Sequence, residues 1–191
     1  MGTCHSMPSL NPPLYETFPT YVAAGVLFTD TVTALAGTQR RKKNLSGFGG
    51  KREPADKDWL DTAWRETAEE LLGWDNVSRA LLHTFRTTLP IRNVHESAGY
   101  VIVQCSFETL NHFLCICARQ EPSPLYNRNP LTLLELILDR DPNAYGEIGG
   151  LALLPVSPNP CVIDRLFQGD LARCKVNRIL RDPCLPQSEH Q

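Results

Sequence analysis

The chain alternates between apolar runs of two periods. Tyr21 to Thr29, YVAAGVLFT, is a continuous apolar run rich in strand formers; Asp30-Thr31 is a turn signal, and Val32 to Gln39 reads as the returning strand. Between residues 60 and 71 the period changes. At about 100° per residue, Leu60, Trp64, Thr67 and Leu71 share one sector of a helix, and Trp74-Asp75-Asn76 ends it after Gly73. Alternation predicts strands over Leu81–Leu89, Gly99–Phe107 and His112–Arg119, the last placing Cys115 and Cys117 on one face as core thiols. His95 and Glu96 fall in the connection between the first two, where His95 is either a surface residue or a general acid–base group. A helix is expected from Pro130 to Asp139, capped by Asn129, with Leu131, Leu134 and Ile137 or Leu138 as its stripe. Glu147 to Val156 reads as a late strand. Val162 to Leu180 reads as a closing amphipathic helix, with Ile163, Leu166, Phe167, Val176, Ile179 and Leu180 inward and Arg165, Arg173, Lys175, Arg178 and Arg181 outward. This order predicts an α/β fold in three layers, a mixed sheet between helices. Residues 1–19, rich in proline, read as a loose arm and 183–191 as a frayed tail, which leaves one domain over 20–182.

Composition narrows the function. The 191 residues are 42% hydrophobic and 21% charged, ordinary for a globular domain. A net charge of −2 excludes a protein that binds polyanions with its whole surface, so any nucleic-acid contact must come from a local basic patch, and no DNA partner is expected. No apolar run approaches a membrane span, and no signal-peptide pattern opens the chain. Seven cysteines at irregular spacing, with no C-x-x-C, point to reduced thiols in a cytoplasmic or nuclear setting and away from structural zinc. Met1-Gly2-Thr3-Cys4-His5-Ser6 formally matches the short myristoylation pattern, and a single acyl chain anchors weakly.

The chemistry concentrates on the predicted helix. Glu66, Glu69 and Glu70 share a sector about 140° from the apolar one. Like charges at these spacings destabilise a helix by a few tenths of a kcal/mol per pair, unless a cation lies among them. Hard divalent metals take oxygen ligands of this kind; without one, the three acids are a solvated face.

The surrounding stretch, GGKREPADKDWLDTAWRETAEELLG from Gly49 to Gly73, resembles the Nudix box, G-x5-E-x7-R-E-U-x-E-E-x-G-U with U a bulky aliphatic residue. Gly50 matches the first glycine, and Arg65, Glu66, Glu69 and Glu70 match the R-E and E-E elements. Asp56 stands where the family has its first glutamate, eight residues rather than seven separate it from Arg65, Thr67 holds the first U position, and two residues precede Gly73 where the family has one. The extra residue behind an aspartate resembles the snoRNA-decapping and inosine-diphosphatase branch and viral mRNA-decapping Nudix enzymes. The resemblance covers residues 20–182 and implies a Nudix α/β/α sandwich that uses Mg²⁺ or Mn²⁺. It implies a metal set of Glu66, Glu69, Glu70, Gly50 and Glu147, the last being the acid that opens the late strand; the alternative for Glu147 is an ordinary strand-end carboxylate. It also makes Arg52 and Glu53, beside the glycines, candidates for substrate or metal contact, and it is compatible with a homodimer.

Other residues keep two readings. Arg40-Arg41-Lys42-Lys43 is either a solvated loop, a phosphate or RNA contact, or a localisation signal. Phe48 either stacks on a base or fills the core. Asp56 or Asp58 caps the helix, so Asp56 has a role apart from metal. Arg65 is expected to orient the glutamates by charge-assisted hydrogen bonds.

Together these readings point to metal-dependent hydrolysis of a phosphoanhydride in a nucleoside diphosphate-linked substrate. The basic run favours capped RNA, releasing m7GDP. A free-nucleotide, ADP-ribose or nucleotide-sugar hydrolase is the first alternative. A non-catalytic nucleotide or RNA binder on the same scaffold is the second.

Overall fold

In a computed structural model, residues 18, 20–30, 32–156, 163–165 and 167–173 are described. The myristoylation pattern, the arm through residue 17, the tail, and Lys175, Arg178 and Arg181 lie outside them.

The first apolar run forms β1 (Ala23–Phe28), at the centre of a four-stranded mixed sheet in the order β4-β1-β6-β5. β4 (Phe48–Lys51) pairs with it antiparallel, and β6 (Tyr100–Cys105) parallel. β5 (Asn93–Ser97) joins β6 as a hairpin, so His95 and Glu96 sit in a strand and not in a connection. β2 (Thr33–Gln39) turns back from β1 and belongs instead to a three-stranded antiparallel sheet, with β3 (Leu45–Ser46) on one side and β7 (Ile148–Pro155) on the other.

Side-chain alternation explains why β1 is apolar throughout. Val26 and Phe28 face one core with Val101 and Val103, under α1 (Trp59–Leu72), α2 (Arg79–Thr88) and α3 (Phe107–Cys117). Leu27 and Ile102 face a second core with Ala34, Ala36, Phe167 and Leu171. The helical residues 167–173 therefore cover the far face, which gives the three-layer α/β arrangement expected. Trp64 anchors the larger core, stacked on Phe113 at 5.9 Å and tilted against Phe85 at the same centroid distance.

Two expected strands are helices. Over 81–89 the buried residues are Leu81, Leu82, Phe85 and Leu89, a spacing of three and four, and Ser78 caps the helix by accepting from the Leu81 amide. Over 112–119 the same spacing joins Leu110, Phe113, Leu114 and Cys117, and Ser106 caps α3. Cys117 is consequently buried while Cys115 is exposed, so the two thiols do not share a face. The helix expected over 130–139 is shortened to α4 (Leu133–Leu138). Thr132 caps it, while the Asn129 amide bridges the carbonyls of Cys117 and Glu121. Among the described residues, no helix is long and apolar enough to cross a membrane.

Candidate active site

α1 is built from its ends inward. Asp58 is the N-cap, accepting from the amides of Leu60 and Asp61, and Gly73 ends the helix at φ 72°, a conformation that suits glycine. The helix lays Leu60, Trp64, Ala68 and Leu71 on the sheet, which turns Glu66, Glu69 and Glu70, all partly buried, towards β4.

Asp56 is neither a cap nor grouped with those glutamates. It is 5% exposed and holds Arg65 through two parallel bonds, Nε to Oδ1 at 3.1 Å and Nη2 to Oδ2 at 3.0 Å. Thr62 Oγ1 and the Glu53 amide donate to the same carboxylate. Burial alone would raise its pKa, but the Arg65, Glu53 and Thr62 donors outweigh burial and hold it below the usual range. Arg65 is thereby fixed. Its Nη1 donates to Glu66 Oε1 at 2.9 Å and to Glu69 Oε2 at 3.1 Å, and Nη2 donates to the Lys51 carbonyl at 2.9 Å.

Glu70 is held differently. Its Oε2 accepts from the Gly49 amide at 2.7 Å. Burial pushes its pKa well above the usual range; the Gly49 amide opposes this, and the charges of Glu66, Glu147 and Glu69 add to it. Burial likewise raises Glu66 and Glu69 despite Arg65. Gly50 lies so close that a Cβ there would stand 2.3 Å from Glu66 Oε2, so any side chain at this position would displace the Glu66 carboxylate.

Gly49, Gly50, Glu66, Glu69 and Glu70 line a cleft of about 1000 Å³ between α1, β4, the β2–β3 turn and Asp164, Phe167 and Asp170. Glu147 is exposed and lines it, as do Gly50 and Lys42. The other candidates lie apart. Phe48 is fully buried, which is its core reading. Arg52 is exposed and stands over the Tyr21 ring at 4.8 Å, and Glu53 is exposed with a carboxylate oxygen 3.7 Å from Arg65. Arg41 and Lys43 are exposed. Arg40 is engaged: its guanidinium donates to the carbonyls of Pro142 and Ala144, and its amide to that of Glu147. Arg40 therefore clasps the loop that carries Tyr145 and Glu147.

Whether the glutamates suit a hard divalent cation is answered by their surroundings. All are oxygen donors, their charged forms are disfavoured as they stand, and the Gly50 cradle leaves room at Glu66. The donor chemistry fits. Glu66 and Glu69 are paired with Arg65 and Glu70 with the Gly49 amide, and among the described residues no three acid, histidine or cysteine side chains converge tightly enough to hold an ion.

Sequence reasoning missed two residues. Arg140, 7% exposed, donates to the carbonyls of Glu70, Leu71 and Ile148, each at 3.0 Å, and so ties the last turn of α1 to the start of β7. Tyr100 lines the cleft; burial raises its pKa, and the charges of Asp170, Glu70, Glu66 and Asp164 raise it further. Neither has a local signal, because each acts through residues far away in sequence.

No protein-family model matches the chain, and no curated protein matches it. Among solved structures it is similar to a C. elegans Ap4A hydrolase binary complex, at 15% identity and a TM-score of 0.41, covering 83% of this chain and 96% of that one. It is also similar to a NUDIX-family hydrolase from Clostridium perfringens, at 11% identity and a TM-score of 0.40, covering 82% and 97%.

Proposed function

We propose that this chain is a Nudix-type hydrolase that cleaves a phosphoanhydride in a nucleoside diphosphate-linked substrate with the help of Mg²⁺ or Mn²⁺. One observation carries the reading: Arg65, locked by Asp56, holds Glu66 and Glu69 beside Glu70 and Gly50 on the wall of a large cleft. Glu66, Glu69 and Glu70, with the Gly50 backbone, would hold the cation. A bound cation supplies positive charge to phosphate oxygens and a nucleophile at neutral pH. Arg65 would position the acids, itself fixed by its bonds to Asp56 and the Lys51 carbonyl. Glu147, facing the same cleft, would take a proton from the attacking water at its carboxylate.

The substrate we propose is the cap of RNA, with m7GDP released. Arg41, Lys42 and Lys43 support this, being exposed on the β2–β3 turn with Lys42 reaching the cleft wall. A free-nucleotide hydrolase is the second reading. It is favoured by the engagement of Arg40 with loop carbonyls, which leaves a shorter cationic track.

A product assay in Mg²⁺ and then Mn²⁺ separates these readings. Its substrates are m7G-capped RNA, free cap dinucleotide, inosine di- and triphosphate, and ADP-ribose. Release of m7GDP from capped RNA with poor use of free nucleotides supports decapping. Turnover of a free nucleotide with inert capped RNA supports the second reading, and no turnover of any substrate overturns the hydrolase. Replacing Arg41 and Lys43 with alanine is expected to lower RNA turnover and spare small nucleotides. Arg40→Ala is expected to impair both, because it releases the loop bearing Glu147.

A further inference from the structure

The last turn of α1 has no basic residue of its own, yet its end is closed. The Gly73 amide donates to the Glu69 carbonyl, Arg140 Nη2 to that of Glu70, Arg140 Nη1 to that of Leu71, and Ser123 Oγ to that of Leu72. The carbonyls that a helix leaves open at its C-terminus are therefore all met, and those of Glu70, Leu71 and Leu72 by side chains from outside the helix. Arg140 also reaches beyond α1. Its Nη2 donates to the Ile148 carbonyl at 3.0 Å, and its Nη1 to the Tyr126 hydroxyl at 3.2 Å. Tyr126 in turn donates to the Leu136 carbonyl and forms an isolated antiparallel bridge with Arg140 itself. Each terminal nitrogen of Arg140 thus makes two bonds, which leaves neither with an N–H for a substrate phosphate.

Burying this charge is costly. Arg140 is 7% exposed, and its guanidinium bonds to carbonyls and a phenol, with no carboxylate paired to it among the described residues. An apolar residue of similar volume would avoid the desolvation, so stability alone does not call for an arginine. Geometry does. A planar fork reaches two carbonyls on the helix and one on the strand at once, which no other side chain does. The residues at the two ends are those of the proposed chemistry. Glu70 is one of the acids assigned to the cation. Ile148 directly follows Glu147, the acid assigned to the attacking water. Both carboxylates line the same cleft.

We infer that Arg140 is a positioning residue, which sets the separation of Glu70 from Glu147 in the cleft by bonding the backbone that carries each. The inference rests on the hydrolase reading for what the two acids do, and its test needs no turnover. Hydrogen exchange followed by mass spectrometry and Mn²⁺ affinity followed by electron paramagnetic resonance are measured on the full chain, as wild type, Arg140→Met, Arg140→Lys and Leu110→Ala. Leu110→Ala opens a cavity in the larger core at a residue that does not line the cleft, and so reports what lost stability does by itself. In Arg140→Met, exchange is expected to quicken by about tenfold over residues 69–73 and 147–149 together, with α2 unchanged. Its Mn²⁺ affinity is expected to fall by about tenfold or more, the scale for losing a residue that orients metal ligands. Arg140→Lys keeps the charge at the helix end without the fork, so its Mn²⁺ affinity is expected to fall by about threefold. It decides the matter alone if Arg140→Met does not fold. Leu110→Ala should lower the melting temperature and leave Mn²⁺ affinity at the wild-type value. Wild-type affinity in the Arg140 variants, or an equal loss in Leu110→Ala, would overturn the inference and leave a structural arginine. A wild-type chain with no Mn²⁺ site would overturn the cation reading and the inference with it, whereas a site insensitive to Arg140 overturns the inference alone.

Discussion

The acids before and within α1 divide into two groups with opposite electrostatics. Asp56, Asp58 and Asp61 lie at its start, and each has an assigned partner. Asp56 has Arg65, while Asp58 caps the helix and pairs with Arg86, which also reaches Asp61 at 3.4 Å. Asp56 and Asp58 are depressed, because arginine and amide donors together exceed the penalty of burial. Glu66, Glu69 and Glu70 come one to three turns later, where a single arginine and one amide serve three carboxylates, and all three are raised by burial. The first group closes its own charge balance and builds the helix. The second leaves negative charge uncompensated beside a cleft, which is where a cation or substrate has work to do.

The sharpest way to break this division is Glu70→Gln. Turnover is expected to fall by roughly 10²-fold or more, the scale for losing one preorganised electrostatic group, with no drop in melting temperature. Glu69→Gln should behave alike in activity. A variant that kept full activity in Mg²⁺ or Mn²⁺ would place Glu70 or Glu69 with the structural acids.

Asp56→Ala should show the reverse balance. It strands a buried guanidinium, so chemical denaturation is expected to show a loss of about 3–5 kcal/mol, and activity falls because Arg65 no longer holds Glu66 and Glu69. Asp58→Ala removes a helix cap and should cost about 1 kcal/mol in the same experiment.

The smallest effect is in pH dependence, where the two groups have opposite signs. Asp56 and Asp58 are depressed in the folded state. Their stabilisation is present above the unfolded carboxylate value near 4 and is lost as pH falls through their folded values. Glu70 is raised, so its stabilisation is present below its unfolded value and is lost as pH rises through its folded one. Asp58→Asn should therefore flatten the acid limb of a stability–pH curve. Glu70→Gln should gain on wild type as pH rises towards neutrality. Parallel curves for both variants would remove the distinction.

Local signals in the sequence carried much of this arrangement. The spacing of Leu60, Trp64 and Leu71 against Glu66, Glu69 and Glu70 fixes which side of α1 meets the sheet, because a helix face is a property of neighbours three and four apart. The run from Tyr21 to Thr29 marks a strand buried on both faces. The misread elements, α2 and α3, are short helices in which Thr84, Thr87 and Thr88, or Cys115-Ile116-Cys117, mimic strand composition. Their serine caps at Ser78 and Ser106 were the discriminating local cue. Asp56 was legible as an acid, though not as the partner of Arg65, a pairing set by how the β4–α1 connection folds back. Arg140 and Tyr100 were not legible at all: the first binds carbonyls about 70 residues earlier, and the second matters for the cleft it lines.

The most direct test of the central claim, that the α1 glutamates hold a divalent cation, is Mn²⁺ binding followed by electron paramagnetic resonance in wild type and in Glu69→Gln/Glu70→Gln. A saturable Mn²⁺ site in wild type, lost in the double variant while its melting temperature is retained, is the predicted result. Absence of bound Mn²⁺ in wild type, or binding of equal strength in the variant, would contradict it.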